Sequence, residues 1–192
     1  MILAGGKSTR IGKDKAFLII NGQRIIDRII YIFRDIFDDI IIVTNNPIEY
    51  FHLDLKLATD IIPQKGALGG IYTGLFYASS QHIFVTACDM PFINKGFVEY
   101  VVSKADNFDV VVPRSDDGLQ PLHAVYSKRC QNHIEAAIQS NRLKIKDIYP
   151  KSRVKEISTE EIRYFDPQQS LFFNINYPDD LEKAKDIDNQ SE

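Results

Sequence analysis

Cysteine is scarce in this sequence, and its scarcity excludes several classes of protein. The 192 residues include only Cys88 and Cys130. Two cysteines are too few for a disulfide framework, and they lack the CxxC spacing of a zinc or redox motif. Because disulfides are rare in reducing compartments, this composition favours a cytoplasmic protein.

Long apolar runs are also absent. The most apolar stretch, IIDRIIYIFRDIF, is interrupted by Arg28, Arg34 and Asp35. A membrane-spanning helix needs roughly 18 or more apolar residues without such breaks. The N-terminus lacks the apolar segment and cleavage site of a secretory signal. We therefore predict that the protein neither spans a membrane nor is secreted.

Positive charge is not in excess. The chain has 23 Lys and Arg against 26 Asp and Glu, a net charge of −3 and a pI of about 5.8. Such a balance provides no basic field for wrapping nucleic acid, so we expect no nucleic-acid partner. Any anion that the protein binds must be held by a local arrangement of donors and charges.

The order of apolar segments predicts an α/β fold. Short runs at residues 1–4, 39–44, 82–87 and 109–113 are apolar on both faces, as in buried strands. Helical periodicity separates them, at residues 24–37, 68–76, 97–105 and 130–138. This alternation predicts a Rossmann-like three-layer α/β/α sandwich with a mostly parallel sheet. The looser pattern after Leu119 predicts some antiparallel strand in the C-terminal half.

The length suits one domain, which we assign to residues 1–187. The polar ending DNQSE leads us to expect a frayed tail at residues 188–192.

A glycine-rich, basic segment, LAGGKSTRIGKDK, follows the first predicted strand at residues 3–15. Gly5 and Gly6 allow backbone N–H groups to approach an anion closely. Arg10 and Lys15 add a planar donor group and a mobile charge suited to phosphate oxygens. The segment could instead be a basic surface turn. Its place at the carboxyl end of a buried strand, where α/β sheets bind ligands, favours phosphate binding.

Two familiar nucleotide-binding motifs are missing. The spacing from Gly6 to Gly12 does not fit the phosphate-binding pattern GxxxxGKS or GxxxxGKT, and the dinucleotide fingerprint GxGxxG does not occur. The second absence argues against an oxidoreductase of the dinucleotide-binding type.

Polar residues also follow two later apolar segments. Asp89, in FVTACDMPFI, lies just past a predicted strand, where it could hold Mg²⁺ or simply cap a turn. In FFNINYPDDL, Asn174 and Asn176 alternate and would point the same way from an extended segment. We select Asn176 for the site and assign Asn174 to the turn. Pro178 is expected to occupy the first turn of a helix, where proline is favoured.

A second glycine cluster occurs in TDIIPQKGALGGIYTGL. Gly66 and Gly70 lie where a helix begins, and helix N-termini favour anions. Close packing of the helix on the sheet is the alternative, and it explains Gly74. His123, in QPLHAVY, lies on a predicted strand and is expected to be packed rather than catalytic.

These segments together resemble the molybdenum cofactor guanylyltransferases of the nucleotidyltransferase superfamily. The first segment resembles the family signature. Its LAGG resembles the motif of the guanylyl branch, whereas the sugar and cytidylyl members of the superfamily more often have LAAG. CDMP resembles CDxP, GALGG resembles GPLAG with Ala67 in place of proline, and NINYPDDL resembles NxNxPxDL. With QPLHAVY, which resembles an acceptor-side segment, the five matches run in the family order from Leu3 to about Leu181.

The resemblance implies roles for individual residues. Lys15 and Arg10 would hold phosphates, and Asp89 would bind nucleotide and metal as the third catalytic residue. Asn176 would be the second metal ligand. The remaining nucleotide-binding residues would be Leu3, Ala4, Gly5 and Gly6 beside the base, and Asp60, Gly66 and Gly70 at the guanine and ribose. Family members have several residues before the signature, whereas Met1 lies two before Leu3, so we expect either a short first strand or a recorded start that is internal to the true one.

The implied reaction joins GTP and a molybdopterin-type cofactor into a guanine dinucleotide cofactor, releasing pyrophosphate with the help of Mg²⁺. The implied partners are GTP and molybdopterin or molybdenum-molybdopterin, together with transient contact with other cofactor-biosynthesis proteins. Alternatives are cytidylyl transfer to the same acceptor and nucleotidyl transfer to a sugar phosphate. A nucleotide-binding regulator without catalysis could dispense with Asp89 and Asn176, and both are present.

Overall fold

The apolar runs form the strands of a mixed sheet in the computed structural model, which describes residues 1–4 and 14–190. The strands are β1 (Ile2–Leu3), β2 (Ile19–Ile20), β3 (Gln23–Arg24), β4 (Ile41–Val43), β5 (Lys56–Ala58), β6 (His82–Ala87), β7 (Val110–Ser115), β8 (Gly118–Leu119), β9 (His123–Ser127) and β10 (Val154–Ile157). As expected, the first strand is short.

The helical periodicity forms helices close to the predicted positions. The helices are α1 (Ile25–Arg34), α2 (Pro47–Tyr50), α3 (Gly66–Tyr77), α4 (Lys95–Ser103), α5 (Gln131–Gln139), α6 (Thr159–Phe165) and α7 (Pro178–Asn189). Short 3-10 segments cover Lys15–Phe17, Phe51–Leu53, Lys128–Cys130 and Ile145–Lys151. Among the helices in the described ranges, none is both long and apolar enough to cross a bilayer.

The strand order places the first strand near the middle of the sheet. The order is β10-β7-β9-β6-β1-β4-β5, and β8 pairs with β7. β9 runs antiparallel to β6 and β7, and β8 is antiparallel to β7. The other neighbours in the sheet are parallel. The predicted combination of a mostly parallel sheet and antiparallel strands in the C-terminal half is confirmed. β2 and β3 form a separate antiparallel hairpin.

Both faces of the sheet are covered. Successive strand residues face opposite cores: Ile42 and Val111 pack with α1 and α4, whereas Ile41 and Val110 pack with α3 and α5. A strand buried on both sides must be apolar at every position, which explains its continuous apolar run. The predicted three-layer arrangement is therefore confirmed.

Two glycines let α3 lie close to the first strand. A Cβ atom on Gly70 would come within 2.5 Å of Leu3 Cδ2, and one on Gly74 within 1.7 Å of Met1 Sδ. Neither distance is possible for real atoms, so a larger residue at either position would have to displace the Leu3 or Met1 side chain, or move the helix. The packing explanation for Gly74 is confirmed, and it extends to Gly70.

The last helix is longer than the sequence indicates. Asp188 and Asn189 are helical, so the prediction of a frayed tail from residue 188 is wrong for these two residues. The Asp188 carboxylate accepts hydrogen bonds from Arg28 at 2.6 and 2.8 Å. This ion pair fixes the last turn to α1, a contact that local composition cannot reveal. The assignment of residues 1–187 to one domain stays a prediction.

Candidate active site

The carboxyl ends of β1, β4 and β6 meet at one edge of the sheet and border a cleft. The cleft has a volume of about 210 Å³. Parallel strands bring their carboxyl ends to the same edge, and this is where such sheets bind ligands. The described residues that line the cleft are Leu3, Asp14, Lys15, Val43, Thr44, Asn45, Asp60, Gly66, Ala67, Gly70, Ala87, Cys88, Asp89 and Leu122.

Asp89 lies at this edge, two residues beyond β6. Its backbone is fixed because its carbonyl oxygen accepts a hydrogen bond from Ile175 N at 3.0 Å. The preceding residue, Cys88, donates its backbone N–H to Leu3 O at 3.0 Å. The Asp89 side chain remains partly exposed, at 22%. A carboxylate on a fixed backbone therefore faces the cleft.

The Lys15 side chain, from near the N-terminus, extends to the Asp89 carboxylate. Its ammonium group is 3.0 Å from Asp89 Oδ2 and donates to Asn176 Oδ1 at 2.7 Å. The Lys15 side chain is 19% exposed, so this ion pair is only partly screened by water. Lys15, Asp89 and Asn176 thus form one polar cluster from three separate segments.

The segment after α6 positions Asn176 through its neighbours. Asp180 Oδ2 accepts backbone N–H bonds from Asn176 and Tyr177, each at 2.9 Å. These two bonds lower the pKa of Asp180, so the carboxylate stays charged and continues to accept them near neutral pH. Asn174, by contrast, is exposed and donates its amide to Phe172 O at 2.8 Å, a local turn contact.

The donor set of this cluster fits a magnesium ion. Asp89 and Asn176 direct oxygen atoms at a common cation, the Lys15 ammonium. Within residues 1–4 and 14–190 there is no group of three or more His, Cys, Asp or Glu side chains able to hold a metal. Mg²⁺ takes one or two protein carboxylates and completes its shell with water and substrate phosphates, so an oxygen pair such as that of Asp89 and Asn176 is compatible with such an ion.

The other side of the cleft carries the second glycine cluster. Gly66 and Gly70 line it from the first turns of α3, and no side chain among the described residues caps the helix N-terminus. Gly66 has a φ of +58°, a backbone conformation that other residues rarely adopt. Asp60 Oδ2 accepts a hydrogen bond from Asn45 Nδ2 at 2.8 Å. This side presents backbone N–H donors and a carboxylate to the cleft.

The structure places some of the predicted nucleotide-binding residues of the first segment and not others. Leu3 lines the cleft. Ala4 is buried behind it and donates its N–H to Val43 O at 2.9 Å. Gly5, Gly6 and Arg10 lie outside the described residues. The roles assigned to all of these residues stay predictions.

His123 lies in the core rather than in the cleft. It is fully buried, and its ring packs against Phe84, Phe97 and Phe172. Neither ring nitrogen has a hydrogen-bond partner among the described residues. Burial lowers the pKa of His123 to about 3, so the ring is neutral at physiological pH. The prediction of a packed histidine is confirmed.

Sequence reasoning missed Asp14, Asn45 and Tyr50. Asp14 caps the 3-10 turn Lys15–Phe17 by accepting from Ala16 N at 3.0 Å, and an aspartate before a helical turn is a recognisable signal. Asn45 follows β4 and could have been suspected from that position. Tyr50 contacts Asp14 across 36 residues, and the sequence around it indicates nothing of the kind.

Comparison with known proteins agrees with this geometry. The family described as the MobA-like NTP transferase domain matches residues 1–154. The molybdenum cofactor guanylyltransferase of Desulfosudis oleivorans is 41% identical over 187 residues, which cover 96% of this chain and 93% of that protein.

Two solved structures extend the comparison. Molybdopterin-guanine dinucleotide biosynthesis protein A from Archaeoglobus fulgidus has a TM-score of 0.85 at 27% identity, covering 98% of this chain and 97% of that one. Rv0371c from Mycobacterium tuberculosis, crystallised in complex with manganese, has a TM-score of 0.68 at 14% identity and covers 96% of each chain, which shows a shared fold. The chain therefore belongs to the MobA-like NTP transferase family, and it is a nucleotidyltransferase.

Proposed function

We propose that the protein transfers GMP from GTP to the terminal phosphate of molybdopterin or molybdenum-molybdopterin, giving a guanine dinucleotide cofactor and pyrophosphate. The observation that carries this proposal is the convergence of Lys15, Asp89 and Asn176 beside a cleft that Asp60, Gly66 and Gly70 also line. The names of the relatives support the choice of substrates.

The reaction needs little covalent chemistry from the protein. An oxygen of the acceptor phosphate forms a bond to the α-phosphorus of GTP, and the bond from that phosphorus to the bridging oxygen of the departing pyrophosphate breaks. Several negative charges are brought together, so positioning and charge neutralisation dominate catalysis. Because a terminal phosphate is largely ionised at neutral pH, no strong base is required, which is consistent with a buried, neutral His123.

Each residue of the cluster has a part in this scheme. Asp89 and Asn176 would hold Mg²⁺, and the bound ion would supply neutralising charge to the phosphates. Lys15, and Arg10 from the preceding segment, would then bind phosphate oxygens. Asp60, Gly66 and Gly70 would line the guanine and ribose, next to the Leu3–Gly6 backbone at the base.

The route by which the acceptor reaches the site, and the proteins that deliver it, are further parts of this proposal. The acceptor would enter from the side of residues 120–126, and other cofactor-biosynthesis proteins would meet the enzyme transiently to deliver it. Both cysteines are buried and free, which is consistent with work in the cytoplasm.

The first experiment is thermal unfolding with GTP, CTP, ATP or UTP, each with Mg²⁺ and with a chelator. A ligand that binds only the folded state raises the unfolding temperature by mass action. We expect a shift with GTP that the chelator reduces. A shift with CTP alone would instead favour cytidylyl transfer, and a shift with UTP would favour a sugar-phosphate acceptor.

Transfer itself is then measured as pyrophosphate release when the acceptor is added to GTP and enzyme. A nucleotide-binding regulator would give the thermal shift and release no pyrophosphate, which would contradict the proposal.

A further inference from the structure

Tyr50 contacts the short turn that carries Lys15 at two residues, one before the lysine and one after it. Its hydroxyl donates to Asp14 Oδ2 at 2.6 Å, immediately before Lys15. Its ring packs on Phe17, two residues after Lys15, with ring centroids 4.9 Å apart. Ala16, between them, is fully buried. The backbone of Lys15 is therefore held in place by its neighbours on both sides.

Asp14 connects the tyrosine to the turn. Its other carboxylate oxygen, Oδ1, accepts the N–H of Ala16 at 3.0 Å, so the two oxygens have separate partners. Asp14 also lines the cleft, one residue from a lysine that is proposed to bind phosphates. A carboxylate free to rotate there would compete for the Lys15 ammonium and repel phosphates. The bond from Tyr50 prevents this rotation.

Tyr50 is well suited to a fixed, neutral donor. Its side chain is completely buried at the end of α2. Burial first, and then the hydrogen bond to Asp14, raise the pKa of Tyr50, so the hydroxyl keeps its proton throughout the range in which the protein functions. The segment just before α2 contributes Thr44 and Asn45 to the cleft. Tyr50 thus connects the segment that contributes Thr44 and Asn45 to the cleft with the turn that carries Lys15.

We propose that Tyr50 is a positioning residue which, through Asp14, fixes Lys15 for contact with the phosphates of the nucleotide. This inference rests on the proposed function for the identity of the ligand. The placement of Lys15 beside Asp89 and Asn176 is independent of that identity, and so it can be tested without any ligand.

Tyr50→Phe removes only the hydroxyl and keeps the ring that packs on Phe17. The matched control is Tyr100→Phe. The Tyr100 hydroxyl also donates to a carboxylate that caps a helix, that of Glu161 at the start of α6, and neither residue lines the cleft. Both variants lose one hydroxyl–carboxylate bond, and urea unfolding of each measures any general loss of stability separately from the effect on Lys15.

The first readout is the reactivity of the Lys15 amine toward an acylating reagent, measured by peptide mass spectrometry on the protein without ligand. In the wild type the ammonium is held by Asp89 and Asn176. We expect acylation of Lys15 to change several-fold in Tyr50→Phe, because its position or its carboxylate partner changes, and to stay the same in Tyr100→Phe. Equal Lys15 reactivity in the two variants would overturn the proposal.

The second readout separates phosphate binding from nucleoside binding by calorimetry with magnesium pyrophosphate, Mg-GTP and guanosine. We expect Tyr50→Phe to weaken the first two by about tenfold, the scale of a hydrogen bond to a charged group, and to leave guanosine binding unchanged. Equal weakening of all three ligands would indicate a collapsed cleft and would contradict a positioning role.

An Asp14→Asn variant completes a double-mutant cycle. If Tyr50 acts through Asp14, adding Tyr50→Phe to Asp14→Asn changes little more, whereas additive losses would show that Tyr50 acts by another route and would overturn the proposal. If the wild type binds pyrophosphate but no GTP, the proposed function fails, and the reactivity of Lys15 still decides the role of Tyr50.

Discussion

Lys15 and His123 are two basic side chains near the same edge of the sheet, and their surroundings are opposite. Lys15 makes an ion pair and an amide hydrogen bond with residues up to 161 positions away. His123 neighbours Leu122, which lines the cleft, yet its own ring lies among phenylalanines and has no hydrogen-bond partner in the described part of the chain. The difference shows that closeness to a site does not make a residue part of it. Polar groups that converge from separate segments are the better indicator, and four substitutions test this.

The largest effect is expected from Asp89→Ala. Because the variant loses a carboxylate that would hold the metal, turnover should fall by about 10³-fold or more. Pyrophosphate release measures this, with circular dichroism to check the fold. Asp35→Ala is the matched control, since Asp35 forms an ion pair of the same length with Lys95 on the surface. Turnover like that of the wild type in Asp89→Ala would remove the basis of the proposed function.

Lys15→Met should have the next largest effect. Methionine keeps an unbranched side chain and removes the charge, so kcat/KM for GTP should fall about 100-fold. The control is Lys95→Met, which breaks the surface ion pair with Asp35 and should leave kcat/KM unchanged. If both variants keep full activity, Lys15 does not contact the phosphates.

Asn176→Ala should reduce turnover by about tenfold, because an amide oxygen contributes less to a metal site than a carboxylate does. Asn174→Ala is the control two residues away, where the amide donates to the Phe172 carbonyl in a local turn. Steady-state rates at several Mg²⁺ concentrations should show a raised metal requirement for the Asn176 variant alone. Equal losses in the two variants would indicate damage to the whole segment.

His123→Leu should leave turnover unchanged and alter the pH dependence of stability. The pKa of His123 is about 3 in the folded protein, below its unfolded value, so only the unfolded chain takes up a proton as the pH falls below that value. Wild-type stability therefore declines with acidification. Between pH 7.5 and 5, the histidine should account for about 2 kcal/mol of this decline. Urea unfolding at both pH values measures it, and an equal decline in His123→Leu would contradict the expectation.

The local pattern of the sequence was sufficient for most of the architecture. Apolar runs and helical periodicity depend on which residues face a core, so they correctly predicted the strand that ends at Leu3 and the strand just before Asp89. They also missed the 3-10 segment Ile145–Lys151, which has no strong periodicity.

Contacts between distant residues explain what the sequence could not reveal. The hydrogen bond from Tyr50 to Asp14 and the ion pair of Arg28 with Asp188 join residues 36 and 160 positions apart. Nothing in the residues around Tyr50 or Asp188 specifies these partners. Asp89 and Asn176 could be selected because each follows a recognisable segment, whereas their common contact with Lys15 required the fold.

The contact between Lys15 and Asn176 has a consequence for synthesis. It joins residues 161 positions apart, so one partner leaves the ribosome long before the other. At about 5–20 residues per second, the wait is on the order of 10–30 seconds. A growing or prematurely terminated chain cannot make this contact, whatever else it has folded. The cluster is therefore assembled only once synthesis has passed Asn176, which keeps chains that stop before this residue from forming it.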